Sequence, residues 1–163
     1  MILMWTSPMC RGALPRPVIW TVVVLTAFVA ACSDDTLGPD FDPEVEAFVD
    51  MANAHKRSVG CEDLAWNADV AAVAQAHSAD MVQRDFFAHD NPDGYSPFDR
   101  LTNAGIAYSR AAENIAWGYG TAASVLDGWL NSAGHRTNLE NCALTQAGVG
   151  LLDTRWTHLF ITP

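Results

Sequence analysis

The chain of 163 residues contains 50% hydrophobic and 17% charged residues, with 11 Gly and 8 Pro. This length provides one domain with a proper core, and the composition excludes a disordered or collagen-like chain. The net charge is −10, and it becomes −12 when residues 1–31 are removed, because they hold two Arg and no acid. Such an acidic surface repels nucleic-acid phosphates and excludes a general DNA or RNA binder.

The first 31 residues are typical of an export signal. Arg11 and Arg16 form a basic start, and residues 18–31 form an apolar stretch of 14 residues. That length suits a signal peptide and is short for a membrane-spanning helix. The sequence Val29-Ala30-Ala31-Cys32 follows at once and resembles a bacterial lipobox, in which the cysteine becomes acylated and forms the new N-terminus.

We therefore expect cleavage before Cys32, lipidation of Cys32 and attachment to a membrane. The alternative is an ordinary secretory peptide that is cut near Ala31 and leaves Cys32 without a role. Residues 32–42 are predicted to form an acidic, flexible tether, and residues 43–163 the folded domain. Both interpretations place the domain outside the cytoplasm, as a lipoprotein of the cell envelope or a secreted protein.

The sequence pattern predicts three helices in the first half of the domain. Asp42-Pro43-Glu44 combines a capping residue, a first-turn proline and an acid, and this helix should end at Gly60. Asn67 can cap a second helix, whose apolar stripe includes His77. Residues 91–94 have the composition of a turn, and Ser96-Pro97 opens a short helix that Gly105 ends.

The second half predicts one helix and the strands. The helix covers Thr121 to Ser132, and strand-like segments cover residues 114–117, 147–152 and 156–161. Asp153-Thr154 indicates a hairpin between the last two strands. Helices come first and antiparallel strands mostly later, so the predicted fold class is α+β.

Four cysteines are present, and two of them remain in the domain. Cys10 leaves with the signal and Cys32 is the lipidation candidate, which leaves Cys61 and Cys142. An exported chain meets an oxidising compartment, so this pair predicts one disulfide that closes a loop of about 80 residues. Two separate buried thiols are the alternative. The cysteine and histidine spacing does not fit a structural zinc knuckle.

Three polar triplets stand at the ends of predicted elements: Ala88-His89-Asp90, Ala112-Glu113-Asn114 and Gly134-His135-Arg136. Two imidazoles and a carboxylate could hold Zn²⁺ with an open position, or could transfer protons. Histidines that serve only the structure are the alternative interpretation. The sequence has none of the familiar hydrolase or nucleotide-binding motifs.

At these residues a specific resemblance emerges over about 110 residues, from Asn53 to Phe160. The chain resembles a bacterial member of the CAP superfamily, whose SCP domain is shared by cysteine-rich secretory, antigen and pathogenesis-related proteins. The matching segments are Leu64-Ala65-Trp66, Ala74-Gln75-Ala76-His77-Ser78, Phe87-Ala88-His89, Ser96-Pro97-Phe98-Asp99-Arg100-Leu101, Glu113-Asn114-Ile115-Ala116, Gly128-Trp129-Leu130-Asn131-Ser132, Gly134-His135-Arg136, Gly148-Val149-Gly150 and Trp156-Thr157. The resemblance implies an α-β-α sandwich with a small antiparallel sheet between the helices.

The resemblance also implies a central cleft with two histidines and two acids. His89 and His135 match the histidines, and Glu113 with Asn114 matches the Glu-Asn motif. Ser132 stands where many eukaryotic members carry the second acid. His89 and His135 thus become candidate ligands for Zn²⁺, or alternatively Ca²⁺, although no cofactor is required, and Glu113 becomes the candidate catalytic group of any enzyme. His77, on an apolar stripe, is expected to be buried and hydrogen-bonded.

Function must be inferred from this cleft, since a fold alone does not decide it. The favoured hypothesis is a monomeric, membrane-tethered module that binds a small apolar ligand or an envelope protein and can hold a metal ion. The alternatives are a structural or adhesive envelope protein without a ligand, and a metal-assisted hydrolase. The missing second carboxylate argues against hydrolysis, because no base separate from the metal ligands would then be available.

Overall fold

The computed structural model describes residues 42–163. The expected signal peptide, lipidated Cys32 and nearly all of the tether lie outside this range. In chain order the elements are α1 (Pro43–Ser58), β1 (Ala65–Trp66), α2 (Ala68–Gln83), α3 (Pro97–Asn103), β2 (Arg110–Trp117), α4 (Ala122–Leu130), α5 (Ala133–Leu139), β3 (Gln146–Leu152) and β4 (Arg155–Thr162). Within residues 42–163, no helix has the length and apolar composition needed to cross a membrane.

Side-chain caps start the first four helices, α1 to α4. The Asp42 carboxylate accepts from the Glu44 backbone N–H at 2.8 Å, and Asn67 accepts from the first turn of α2. Ser96 and Thr121 each form a capping box at the start of α3 and α4. These bonds satisfy backbone donors that the first turn of a helix leaves unpaired.

The four strands form one mixed sheet in the order β1-β3-β4-β2. β2 pairs antiparallel with β4, and β4 with β3, as expected for a hairpin. Asp153 and Thr154 both have positive φ in the turn between β3 and β4, which suits a two-residue hairpin. The sheet was expected to be antiparallel, but it is mixed. The difference is the two-residue strand β1, which was not predicted and which pairs parallel with β3.

Two apolar cores lie on opposite faces of the sheet, because successive side chains of a strand point to opposite sides. Trp156 and Phe160 of β4 join the core with α1 and α4, whereas Leu159 and Ile161 join the core with α2 and α3. Helices on both faces of a central sheet make the expected α-β-α sandwich.

Two boundaries differ from the predicted elements. The single helix expected over residues 121–132 ends at Leu130, and a separate α5 begins at Ala133, so that His135 lies on a helix rather than after one. β2 begins at Arg110, four residues before the predicted start, since its pairing with β4 extends from Arg110 to Trp117.

The expected disulfide is confirmed. Cys61 and Cys142 are bonded, with their Cα atoms 5.0 Å apart. The bond links the segment after α1 to the segment between α5 and β3. It therefore fixes the position of the α5 region relative to α1, and α5 carries one of the predicted site histidines.

Candidate functional site

Two neighbouring residues of the edge strand β2 contact the two parts of the chain that carry the predicted histidines. Glu113 and Asn114 are neighbours on β2, so their side chains point to opposite faces. Glu113 bonds His89, which lies in the segment after α2. The Asn114 amide donates to the backbone carbonyl of His135 on α5 at 3.1 Å. The Glu-Asn pair thus positions both histidines.

Glu113 lies beneath His89, and its side chain is only 2% exposed. One carboxylate oxygen is 2.8 Å from His89 Nδ1, and the other accepts from the Arg100 guanidinium at 2.6 Å. Because a carboxylate can only accept, Nδ1 carries the proton and Nε2 of a neutral His89 is free to bind a ligand. Glu113 therefore orients the His89 ring, and both of its oxygens are engaged.

Arg100 is the site residue that the sequence reasoning missed. It also donates to the backbone carbonyl of His89 at 2.7 Å and to that of Tyr95 at 3.1 Å. It thereby fixes both the Glu113 carboxylate and the segment that carries His89. The available signal was its place in the matching segment Ser96–Leu101, which contains the cap and the first residues of α3.

The two histidines have different electrostatic surroundings. The hydrogen bond with Glu113 is the largest cause of a raised pKa at His89, and partial burial opposes it. Burial lowers the pKa of His135, and the charge of nearby His89 lowers it further. His135 therefore stays neutral to lower pH than His89, and a neutral ring is the form that can bind a metal.

His77 has the structural role expected for it. It is 1% exposed, and its Nε2 lies 3.0 Å from the backbone carbonyl of Ala88. Burial lowers its pKa, so the ring stays neutral. This hydrogen bond holds Ala88, the residue before His89, in place. His77 therefore stabilises the segment that carries His89 and does not itself line the hollow beside His89.

His89, Ser132 and His135 line an open hollow of about 450 Å³, which we call the histidine groove. Glu113 and Asn114 lie behind this groove and not on its surface. The other side chains that line it are mostly aromatic or aliphatic: Phe87, Ala88, Ile115, Ala116, Trp117, Tyr119 and Trp129. The volume is typical of small-molecule sites, which span about 300–1,000 Å³.

The described residues place only two metal-ligating side chains in the groove. Within residues 42–163, no group of three or more His, Cys, Asp or Glu side chains is arranged to hold a metal ion. His89 Nε2 and His135 are the two donors available. A carboxylate that orients a ligating histidine is a common outer-shell partner, and Glu113 has that position.

The chain is similar to known proteins of bacteria. The chain is 38% identical over 115 residues to the uncharacterized protein YkwD of Bacillus subtilis, a match that covers 69% of this chain and 45% of YkwD. An extracellular protein containing a SCP domain from Bacillus anthracis is 34% identical, with a TM-score of 0.72 over 78% of this chain and 45% of that one. The chain therefore spans less than half the length of these two relatives.

The fold and the family follow from two further matches. An outer surface protein of Borrelia burgdorferi shares the fold, with a TM-score of 0.70 at 19% identity, over 77% of this chain and 98% of that one. The sequence pattern of the CAP family, described as the cysteine-rich secretory protein family, matches residues 49–157. The matched range includes both histidines, Glu113 and Ser132. Because it covers more than half of the chain, the chain belongs to the CAP family.

Proposed function

We propose that the protein is an extracytoplasmic, membrane-tethered CAP domain that binds a ligand in the histidine groove. The observation that carries this proposal is the groove itself, which two imidazoles line together with mostly aromatic and aliphatic side chains. The domain resembles proteins described as extracellular and as an outer surface protein. The lipobox-like sequence before Cys32 supports attachment by acyl chains.

A divalent cation fits the groove as part of the proposed site. His89 Nε2 and His135 would be its protein ligands, and the hydrogen bond with Glu113 would hold the His89 ring in place. Imidazole nitrogens favour Zn²⁺ over Ca²⁺, which prefers oxygen ligands. When bound, such an ion would supply a positive charge toward which a ligand oxygen could be directed.

Binding explains the site better than hydrolysis. A general base must come within hydrogen-bond distance of the proton that it takes. The Glu113 side chain is only 2% exposed, it does not line the groove, and it bonds His89 and Arg100 instead. The arrangement supports a holding role for Glu113 and disfavours it as the base of a hydrolase.

Isothermal titration with Zn²⁺ tests the proposal. The wild type should bind near pH 7.5 and lose most of its affinity near pH 5, because protonated imidazole cannot bind a metal. His89→Ala and His135→Ala should each abolish binding. Glu113→Gln should weaken it by about 10- to 100-fold, the usual effect of removing an outer-shell partner.

His55→Ala is the matched control, since His55 is also partly exposed but bonds Glu140 at 3.0 Å and does not line the groove. This variant should bind zinc as the wild type does. Binding that survives the loss of both His89 and His135 would show that the site lies elsewhere.

A further inference from the structure

The wall of the histidine groove presents two exposed aromatic rings. Phe87 is 45% exposed and Trp117 is 53% exposed, and their ring centroids lie 6.1 Å apart at an interplanar angle of 48°. Large exposed rings that form part of one patch mark a site of interaction more often than single ones do. The two rings lie beside His89, which follows Phe87 by two residues.

Arg155 supports the Trp117 ring from outside the groove. Its guanidinium carbon lies 4.5 Å from the ring centroid, and Arg155 is not among the residues that line the groove. Arg155 is itself buried and paired with Asp85 at 3.2 Å. The indole is therefore held in place on one side before any ligand arrives, which lowers the entropy that binding would cost.

The polar lining excludes a simple hydrocarbon ligand. Within residues 42–163, neither the Ser132 hydroxyl nor the His135 ring has a hydrogen-bond partner, and His89 uses only Nδ1. A hydrocarbon would remove water from these groups without replacing its hydrogen bonds. Each such loss is unfavourable, because the polar group leaves water and gains no new partner. The ligand must therefore supply hydrogen-bonding groups of its own.

Without a bound metal ion, the described lining offers no full counter-charge to a strongly charged organic ligand. No Asp, Glu, Lys or Arg side chain is among the described residues that line the groove. The nearest carboxylate, on Glu113, is buried and already paired with Arg100. In the metal-free groove, a charged organic group would therefore lose water without gaining a protein counter-charge, which is unfavourable.

We propose that the histidine groove binds a neutral oligosaccharide. A pyranose ring has an apolar face of C–H groups that can stack on Trp117 and Phe87, and a rim of hydroxyl groups that can bond Ser132, His89 and His135. A pyranose thus offers an apolar face to the aromatic rings of the lining and uncharged hydrogen-bonding groups to its polar side chains. The inference rests on the proposed function, because it names the ligand class of that same groove.

Titration of intrinsic tryptophan fluorescence tests this inference. The probes are cellotetraose and chitotetraose, two neutral tetrasaccharides, with decanoate as an apolar competitor and sulfated cellotetraose as a charged one. The full chain carries Cys32→Ala to avoid acylation, and each titration is run in EDTA and in Zn²⁺. At least one neutral tetrasaccharide should bind in EDTA, more tightly than either competitor.

Variants locate the binding. Trp117→Ala and Ser132→Ala should weaken saccharide binding by about tenfold or more, which corresponds to about 1.4 kcal/mol. Calorimetry replaces fluorescence for Trp117→Ala, which should still bind Zn²⁺. Phe87→Ala should weaken saccharide binding as well. Phe98→Ala is the matched control, since Phe98 is about as exposed, at 47%, but does not line the groove, and this variant should bind the saccharide as the wild type does.

Three results would overturn the inference. Tighter binding of decanoate or of the sulfated sugar than of either neutral sugar would assign a different ligand class. Equal effects of Phe87→Ala and Phe98→Ala would place the binding outside the groove. A wild-type protein that binds zinc but no saccharide would overturn the saccharide inference alone. A wild-type protein that binds neither zinc nor any of the probes would also overturn the proposed function.

Discussion

At the scale of single residues, His158 is the histidine most strongly affected by its surroundings. It lies on β4 between the rings of Phe48 and Phe160, at centroid distances of 5.0 and 3.8 Å, and its Nδ1 has no hydrogen-bond partner among the described residues. Burial lowers the pKa of His158 to about 3, and the charge of Lys56 contributes. The native protein therefore holds this ring neutral at almost any working pH.

This neutral ring should make stability depend on pH. Below the unfolded-state pKa of about 6.5, the unfolded chain binds a proton at this position, and the native chain does not until near pH 3. The neutral His158 ring therefore makes its full contribution to the free energy of unfolding above pH 6.5. This contribution is lost as the pH falls, by up to about 1.4 kcal/mol per pH unit. Urea unfolding should give the wild type a lower free energy of unfolding at pH 5 than at pH 7. In His158→Gln, this difference between the two pH values should be smaller by about 1–2 kcal/mol.

The comparison concerns the change with pH, so a lower absolute stability of His158→Gln does not affect it. If the variant and the wild type lost the same free energy of unfolding between pH 7 and pH 5, another group would be responsible. His77 is also buried with a lowered pKa and is the next histidine to substitute.

Residue identities at the site were predictable, and their atomic roles were not. His89, Glu113 and His135 were identified because they stand in motifs of the family. The sequence could not show that Glu113 lies behind His89, since that depends on which side of β2 faces the segment after α2. Arg100 was missed because charged residues are usually exposed, yet its side chain is only 12% exposed and bonds Glu113.

At the scale of elements, the sequence predicted what local interactions decide. The caps at Asp42, Asn67 and Ser96 depend on bonds within one turn, and each begins a helix as expected. β1 was not predicted because a strand of two residues exists only through its pairing with β3. The start of β2 likewise depends on β4 across the sheet, and such pairings leave little trace in the local sequence.

Close packing of α2 on β3 depends on two glycines that belong to one of the matching segments. A Cβ atom on Gly150 would lie under 3.0 Å from backbone atoms of Gln75, and one on Gly148 equally close to the backbone of Ala71. Real Cβ atoms do not come so near, and backbone cannot move aside as a flexible side chain can. The absence of a side chain therefore allows the helix to lie directly against the sheet.

Gly150→Ala should lower the free energy of unfolding by about 2–3 kcal/mol, the upper part of the range for overpacked cores. Gly120→Ala is the matched control, because nothing lies within 4 Å of its Cβ position and its φ is not positive. Urea unfolding followed by circular dichroism measures both variants. Equal stability of Gly150→Ala and the wild type would mean that α2 can shift away from β3 without loss.

At the scale of the whole molecule, charge is divided unevenly along the chain. Residues 1–31 carry two Arg and no acid, whereas the remainder has a net charge of −12. A membrane surface that carries anionic lipids repels negative charge, so an acidic domain gains nothing from electrostatic attraction to it. Retention of this domain at a membrane would have to come from apolar attachment, and Cys32 is the residue that the sequence offers for it.

Acyl chains on Cys32 should hold the protein firmly. Each buried CH₂ contributes about 0.8 kcal/mol, so two or three chains anchor a soluble domain where one alone is marginal. The wild type should therefore stay in the membrane fraction through a high-salt wash, which removes proteins held by charge, and should dissolve in detergent. Cys32→Ala should appear in the soluble fraction or fail to mature, whereas Cys10→Ala, the matched control in the same leader, should stay attached. A wild-type protein that is already soluble, with Ser33 or a later residue at its N-terminus, would favour the ordinary secretory peptide instead.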